Sequence, residues 1–166
     1  APRSCKTGRN GKMNLEYILS SLPALSFGEK APLSRERFRS IIGGEEVERS
    51  LLGEKWRKLE TELRNAMAEA RGGAEHKRPG AACSLYWRGR LLACFRETDV
   101  IRRDELIDRV WWDAAGELTD LASPLGRGAL ATYLIRLNIA LKRSLISKAE
   151  GEEAFDRLTQ ATKKVI

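Results

Sequence analysis

The chain has 166 residues, enough for one domain with an apolar core of its own. Its residues are 42% hydrophobic and 32% charged, which excludes a disordered chain, and no apolar run approaches the roughly 20 residues that cross a bilayer as a helix. The net charge of +7 points first to nucleic acid, but Arg3, Lys6, Arg9 and Lys12 supply four of those charges, leaving +3 for residues 13–166.

Residues 1–12 hold no acid and lack the apolar stretch of a secretory signal. They read as a flexible basic leader ahead of Met13, which suits a natural start, with residues 13–166 forming a single helical domain. Beyond the leader, bases and acids interleave, as in Arg35-Glu36-Arg37 and Arg102-Arg103-Asp104-Glu105, a pattern of solvated helix faces. Cys5, Cys83 and Cys94 have no metal-ligand spacing, which suits a reduced, cytoplasmic protein, and Cys83 and Cys94 read as buried thiols.

Residues 14–25 carry Tyr17, Ile18, Leu19 and Leu22, a spacing that fits a strand or a helical turn. A loop with Gly28 and Pro32 follows, pressed down by Leu25 and Phe27. Ser34 is an N-cap for a short helix that turns Phe38, Ile41 and Ile42 inward and ends at Gly43-Gly44. Residues 45–71 read as one helix with an apolar stripe of Leu52, Trp56, Leu59, Leu63 and Met67, acids in its first turn, and Gly53 as an interior weakness. Gly72-Gly73 stops it, and a polar connector holding His76 follows.

Residues 81–97 admit two readings. As a helix they gather Leu85, Leu91, Leu92 and Phe95; as a hairpin they turn at Arg88-Gly89. Helical neighbours favour the helix. Residues 99–121 predict a helix with Ile101, Leu106, Val110, Trp111, Ala114, Leu118 and Leu121 inward, broken by Ser123-Pro124. The helix at 127–146 carries a ridge of Leu130, Leu134, Leu137, Leu141 and Leu145, widened by Ala131, Ile135 and Ile139. So broad an apolar surface belongs to a central helix or to one that also meets a partner. Ser147 and Glu150 have capping-box spacing and open a last helix with Phe155 and Leu158 inward. The fold class expected is all-α: an antiparallel bundle of four or more helices joined by short Gly/Pro loops.

Chemistry is sparse. There is no phosphate-binding glycine loop, and His76, the only histidine, lies in a polar loop beside Lys77 and Arg78. Asp104 with Asp108, and Glu150 with Glu153, have helical spacing but lack the Glu-x-x-His pattern of bundle metal sites, and read as caps and solvated faces. The expectation is therefore a protein that is not an enzyme, with no cofactor and no metal. Trp111 and Trp112 project about 100° apart on a helix. Either both pack internally, or one is core and the other covers a second helix or is left for a partner. The alternative function is a basic helical nucleic-acid-binding protein, with Trp87, Arg88 and Arg90 as its aromatic and basic candidates.

Two patches carry a family resemblance. The opening, Tyr17-Ile18-Leu19-Ser20-Ser21-Leu22-Pro23-Ala24-Leu25-Ser26-Phe27-Gly28, is the more specific; the second runs through Trp112-Asp113, Leu118, Leu121, residues 133–139, Arg143, Glu150-Gly151 and Phe155. Together they cover about a third of the chain and resemble an uncharacterised family of bacterial proteins encoded beside V-type, archaeal-like ATPase subunits. The chain departs from that family's pattern at residues 123–128, with Ser-Pro-Leu-Gly in place of an aromatic and acids. The resemblance implies an accessory, structural or assembly subunit of the rotary ATPase, in the manner of the all-helical collar that seats the central stalk on the membrane ring. Its implied partners are rotary ATPase subunits. It implies a cytoplasmic place, peripheral at the inner face of the membrane through that complex, without insertion. On this reading the partner surface is expected at Tyr133, Arg136 and Arg143 with an exposed indole of Trp111 or Trp112. The plainer reading is that Arg136 and Arg143 edge the core as solvated flanks.

Overall fold

A computed structural model of the protein describes residues 14–79 and 84–145. The described residues form seven α-helices: α1 (Leu15–Ser21), α2 (Arg35–Ile42), α3 (Glu45–Leu51), α4 (Glu54–Ala70), α5 (Leu85–Cys94), α6 (Val100–Ala114) and α7 (Arg127–Leu145). Two short 3-10 helices, Ala74–His76 and Ala115–Leu118, complete them, and no strand occurs among the described residues. The all-α expectation holds. Of the two readings of residues 14–25 and of residues 81–97, the helical one is found in each case. The basic leader, Cys5, Cys83 and the last helix expected from Ser147 lie outside the described residues.

The helix starts follow from their caps. Asn14 accepts from the Tyr17 amide at 3.1 Å, Ser34 from Arg37 at 3.2 Å, Ser84 from Trp87 at 3.3 Å, and Asp99 from Ile101 at 2.8 Å. Each satisfies one amide that the first helical turn leaves without a partner. Gly43 ends α2 at φ 99°, a left-handed conformation that costs a side-chain-bearing residue far more than glycine.

The expected single helix at 45–71 is two. The chain breaks at Leu52, whose φ of −82° and ψ of 64° make a tight turn closed by the Gly53 amide on the Leu51 carbonyl at 3.0 Å. Glycine lowers the cost of leaving the helix there. Glu48, in the first turn of α3, faces the interior and α2. Glu48 is 2% exposed, and Arg35 and Arg39 of α2 hold its carboxylate in ion pairs. Burial alone would raise its pKa, but the hydrogen bonds from Arg39 and Arg35 outweigh it and keep Glu48 below the usual glutamate value. Likewise the expected helix at 99–121 ends as an α-helix at Ala114 and tightens into the second 3-10 helix, so Leu121 is 96% exposed. Ile101 is also exposed, while Ile107, outside the expected inward set, is buried.

The core is built on α7. Leu130, Leu134 and Leu137 are fully buried, with Leu63 of α4, Leu91 of α5 and Phe38 of α2 against the same cluster. Truncating any of these leucines to alanine costs about 2–5 kcal/mol. The predicted leucine ridge ends early, for Leu145 is largely exposed. α6 runs opposite to α7, since Asp108 faces Lys142 while Trp112, one turn on, faces Arg136 farther back. α4 makes its main close backbone contacts with α5, then with the first 3-10 helix and, more sparsely, with the second. Its flank towards α6 and α7 is a looser seam.

Candidate functional site

That seam opens as a cleft of about 650 Å³. Its apolar lining is Leu52, Trp56 and Met67 on one wall and Ile107, Trp111, Ile135 and Ile139 on the other. The two indoles meet edge to face at 5.9 Å across it. Alternate-turn spacing explains the α4 wall: Trp56, Glu60, Arg64, Met67 and Arg71 fall three or four residues apart, so they share one side of the helix.

The polar lining is largely self-matched. Arg64 bonds Glu60 at 2.8 Å and lies 5.7 Å from the Trp111 ring. Lys142 bonds Asp108 at 2.9 Å and reaches Asp104 at 3.5 Å. Asp108 is only 5% exposed, which corrects its reading as a solvated carboxylate; Arg143 approaches its second oxygen at 3.5 Å. Burial lowers the Lys142 pKa, but the hydrogen bond and charge of Asp108 prevail and raise it. Arg71 has no acidic partner within ion-pair distance among the described residues; its guanidinium lies 5.7 Å from the centre of the Phe95 ring.

The five residues expected at a partner surface divide sharply. Trp111 lines the cleft and stays partly accessible. Trp112 does not: it is 6% exposed and packs edge to face on Phe27 at 5.5 Å. Arg136 lies 5.3 Å from the Trp112 ring and donates from Nε to the Trp112 carbonyl at 3.1 Å. Arg143 stands 5.1 Å from the Phe27 ring, with Arg109 at 5.0 Å. Tyr133 stacks on Phe38 at 5.7 Å and its hydroxyl donates to the Pro23 carbonyl at 2.9 Å; burial pushes its pKa up to about 12. Arg136 and Arg143 are thus neither solvated flanks nor open hooks. Trp112, Tyr133 and Arg143 clasp residues 23–27 to α6 and α7, with Arg136 pinning Trp112 from α7, and the sequence could not distinguish a clasp for a distant segment of its own chain from one for a partner.

The other candidates are engaged elsewhere. Trp87 is buried and donates from its indole to Glu117 at 2.5 Å; Arg88 pairs with Glu69, and Arg90 with Asp113 at 2.8 Å. The trio is therefore not an open basic and aromatic patch. His76 is exposed beside Glu75. Cys94 is buried, its thiol donating to the Arg90 carbonyl at 3.2 Å, and burial raises its pKa. No group of three or more His, Cys, Asp or Glu side chains able to hold a metal occurs among the described residues, and Glu150 and Glu153 lie outside them. No helix among the described residues is long and apolar enough to cross a membrane.

The cleft residues that sequence reading missed are Glu60, Arg64, Arg71, Ile107 and Lys142. Only the α4 stripe was visible in the spacing; the opposite wall needs the antiparallel pairing of α6 and α7. The fold and cleft define an all-α protein with an open seam whose lining is half apolar and half polar or charged. Comparison with protein-family models, curated proteins and solved structures yields no match.

Proposed function

We propose that the protein is a non-catalytic component that works by docking a segment of another protein in the cleft between α4, α6 and α7. The supporting observation is the division of labour inside the cleft. Its centre is indole and aliphatic surface, while Glu60, Asp104 and Asp108 are each committed to a base of the same chain. Carboxylates fastened in this way are not poised as a general acid and base around a reacting atom, whereas an apolar groove with a charged rim is the usual receptor for an amphipathic helix.

The partner class comes from the sequence resemblance: subunits of a V-type, archaeal-like rotary ATPase, with this chain as an accessory, structural or assembly subunit. Purification of that ATPase from native cells tests the assignment. The chain is expected in the assembled enzyme or in an assembly intermediate; its absence from both rejects the rotary ATPase as partner.

A further inference from the structure

Resting on the docking reading above, we propose that the cleft takes an amphipathic helix of a partner protein carrying an acidic side chain opposite Arg71. The shape argument comes first. From Trp56 to Arg71 the α4 wall is about 22 Å long at 1.5 Å per residue, the length of four helical turns. α4 makes few close backbone contacts with α6 or α7, while Trp56 and Trp111 touch at the floor of the gap, so the seam is a surface groove along which a further rod can lie. Indole edges and aliphatic side chains at its centre match the one-sided apolar stripe of such a rod.

Charge then selects the partner's chemistry. Arg64 and Lys142 have their acids within the cleft. Arg71 has none, and at the same end Arg103 also stands 5.9 Å from the Phe95 ring, again with no acidic partner among the described residues. Cation–π attraction at a partly exposed ring is worth only about 0.5–1 kcal/mol and leaves their positive charge unneutralised. A partner carboxylate placed there neutralises it, and Arg is well shaped to grip a carboxylate. A nucleic-acid strand fits less well, because the cleft lining carries no net charge, Glu60, Asp104 and Asp108 offsetting Arg64, Arg71 and Lys142, and so does not gather a phosphate backbone.

The test uses two fluorescent 16-residue helical peptides with the same leucine stripe, one bearing Glu at both ends and the other Lys. Each is titrated into the full chain by anisotropy. The Glu peptide is expected to bind about tenfold more tightly, with a preference that shrinks in salt. Arg71→Ala is expected to abolish the preference, Arg71→Lys to retain part of it, and Trp111→Ser to weaken both peptides. Equal affinities, or a preference that survives Arg71→Ala, overturn the acid requirement while leaving the cleft as a protein site. Binding of neither peptide overturns the docking reading as well. Phe155→Ser with Leu158→Ser in the full chain is expected to leave the affinities unchanged. A gain in affinity there makes the chain's own tail the occupant, and a dimer in sedimentation that the peptide dissociates makes it a second copy; either result overturns the proposal.

Discussion

At the scale of single residues, three positions show how local chemistry fixes the fold. Asn65 is buried in α4 and holds the connector, donating to the Arg78 carbonyl at 2.9 Å and accepting from the Arg78 amide at 2.8 Å. Asn65→Ala leaves both backbone groups unpaired and is expected to cost about 2 kcal/mol in urea unfolding. Gly128 sits where α7 begins: a Cβ there would lie 1.9 Å from the Leu118 carbonyl oxygen, against backbone that cannot move cheaply. Gly128→Ala is expected to destabilise by about 3 kcal/mol, read as a lowered Tm. Glu69 pairs with Arg88 of α5 and with Lys77 of the connector, and their hydrogen bonds bring its pKa from 4.5 down to about 2. Since the folded value is the lower one, this contribution to stability is full above pH 4.5 and fades as pH falls towards about 2. Glu69→Gln is expected to flatten that part of the stability–pH curve, whereas an unchanged curve removes Glu69 as its source. None of these roles was legible in the sequence, because each depends on a group that folding brings close. The cap Ser34 and the stop at Gly43 were legible, because their partners are a few residues away.

Among elements, the periodicity of apolar residues located α4, α6 and α7, and even α2, but not where the first breaks from α3 or the second tightens. Leu52 continues the α4 stripe by spacing, so the apolar pattern hides the turn that it forms with Gly53, which the sequence marked only as a weak point within one helix. The largest displacement concerns the aromatic and arginine residues of α6 and α7. Trp112, Tyr133, Arg136 and Arg143 share the residue types of an interface; Trp112, Tyr133 and Arg143 form one with residues 23–27 of the same chain, and Arg136 braces Trp112. Trp112→Ala is expected to cost about 3–5 kcal/mol and to speed amide exchange in residues 14–27 more than in α5. Tyr133→Phe removes only the bond to Pro23 and is expected to cost about 1 kcal/mol, with the Phe38 stack intact. Uniform acceleration across the molecule in the Trp112 variant would contradict a local clasp.

For the whole molecule, the distinction between core and function rests on what each apolar surface meets. Most of the α7 ridge is consumed by the core, which is why its breadth alone did not locate a partner face. The accessible apolar seam lies one helix away, where Trp56 and Trp111 face each other and the charged rim is matched except at Arg71. Of the five residues expected at a partner surface, Trp111 alone belongs to this cleft. Its neighbour was indistinguishable from it until the helix was placed against its surroundings. A photo-crosslinking amino acid at position 111 in native cells tests the docking cleft most directly. One discrete adduct, mapped by mass spectrometry to an amphipathic segment of a single partner and absent when the crosslinker is placed at exposed His76, is the expected result. No adduct at 111, or the same scatter of adducts from both positions, would contradict a docking site in the cleft.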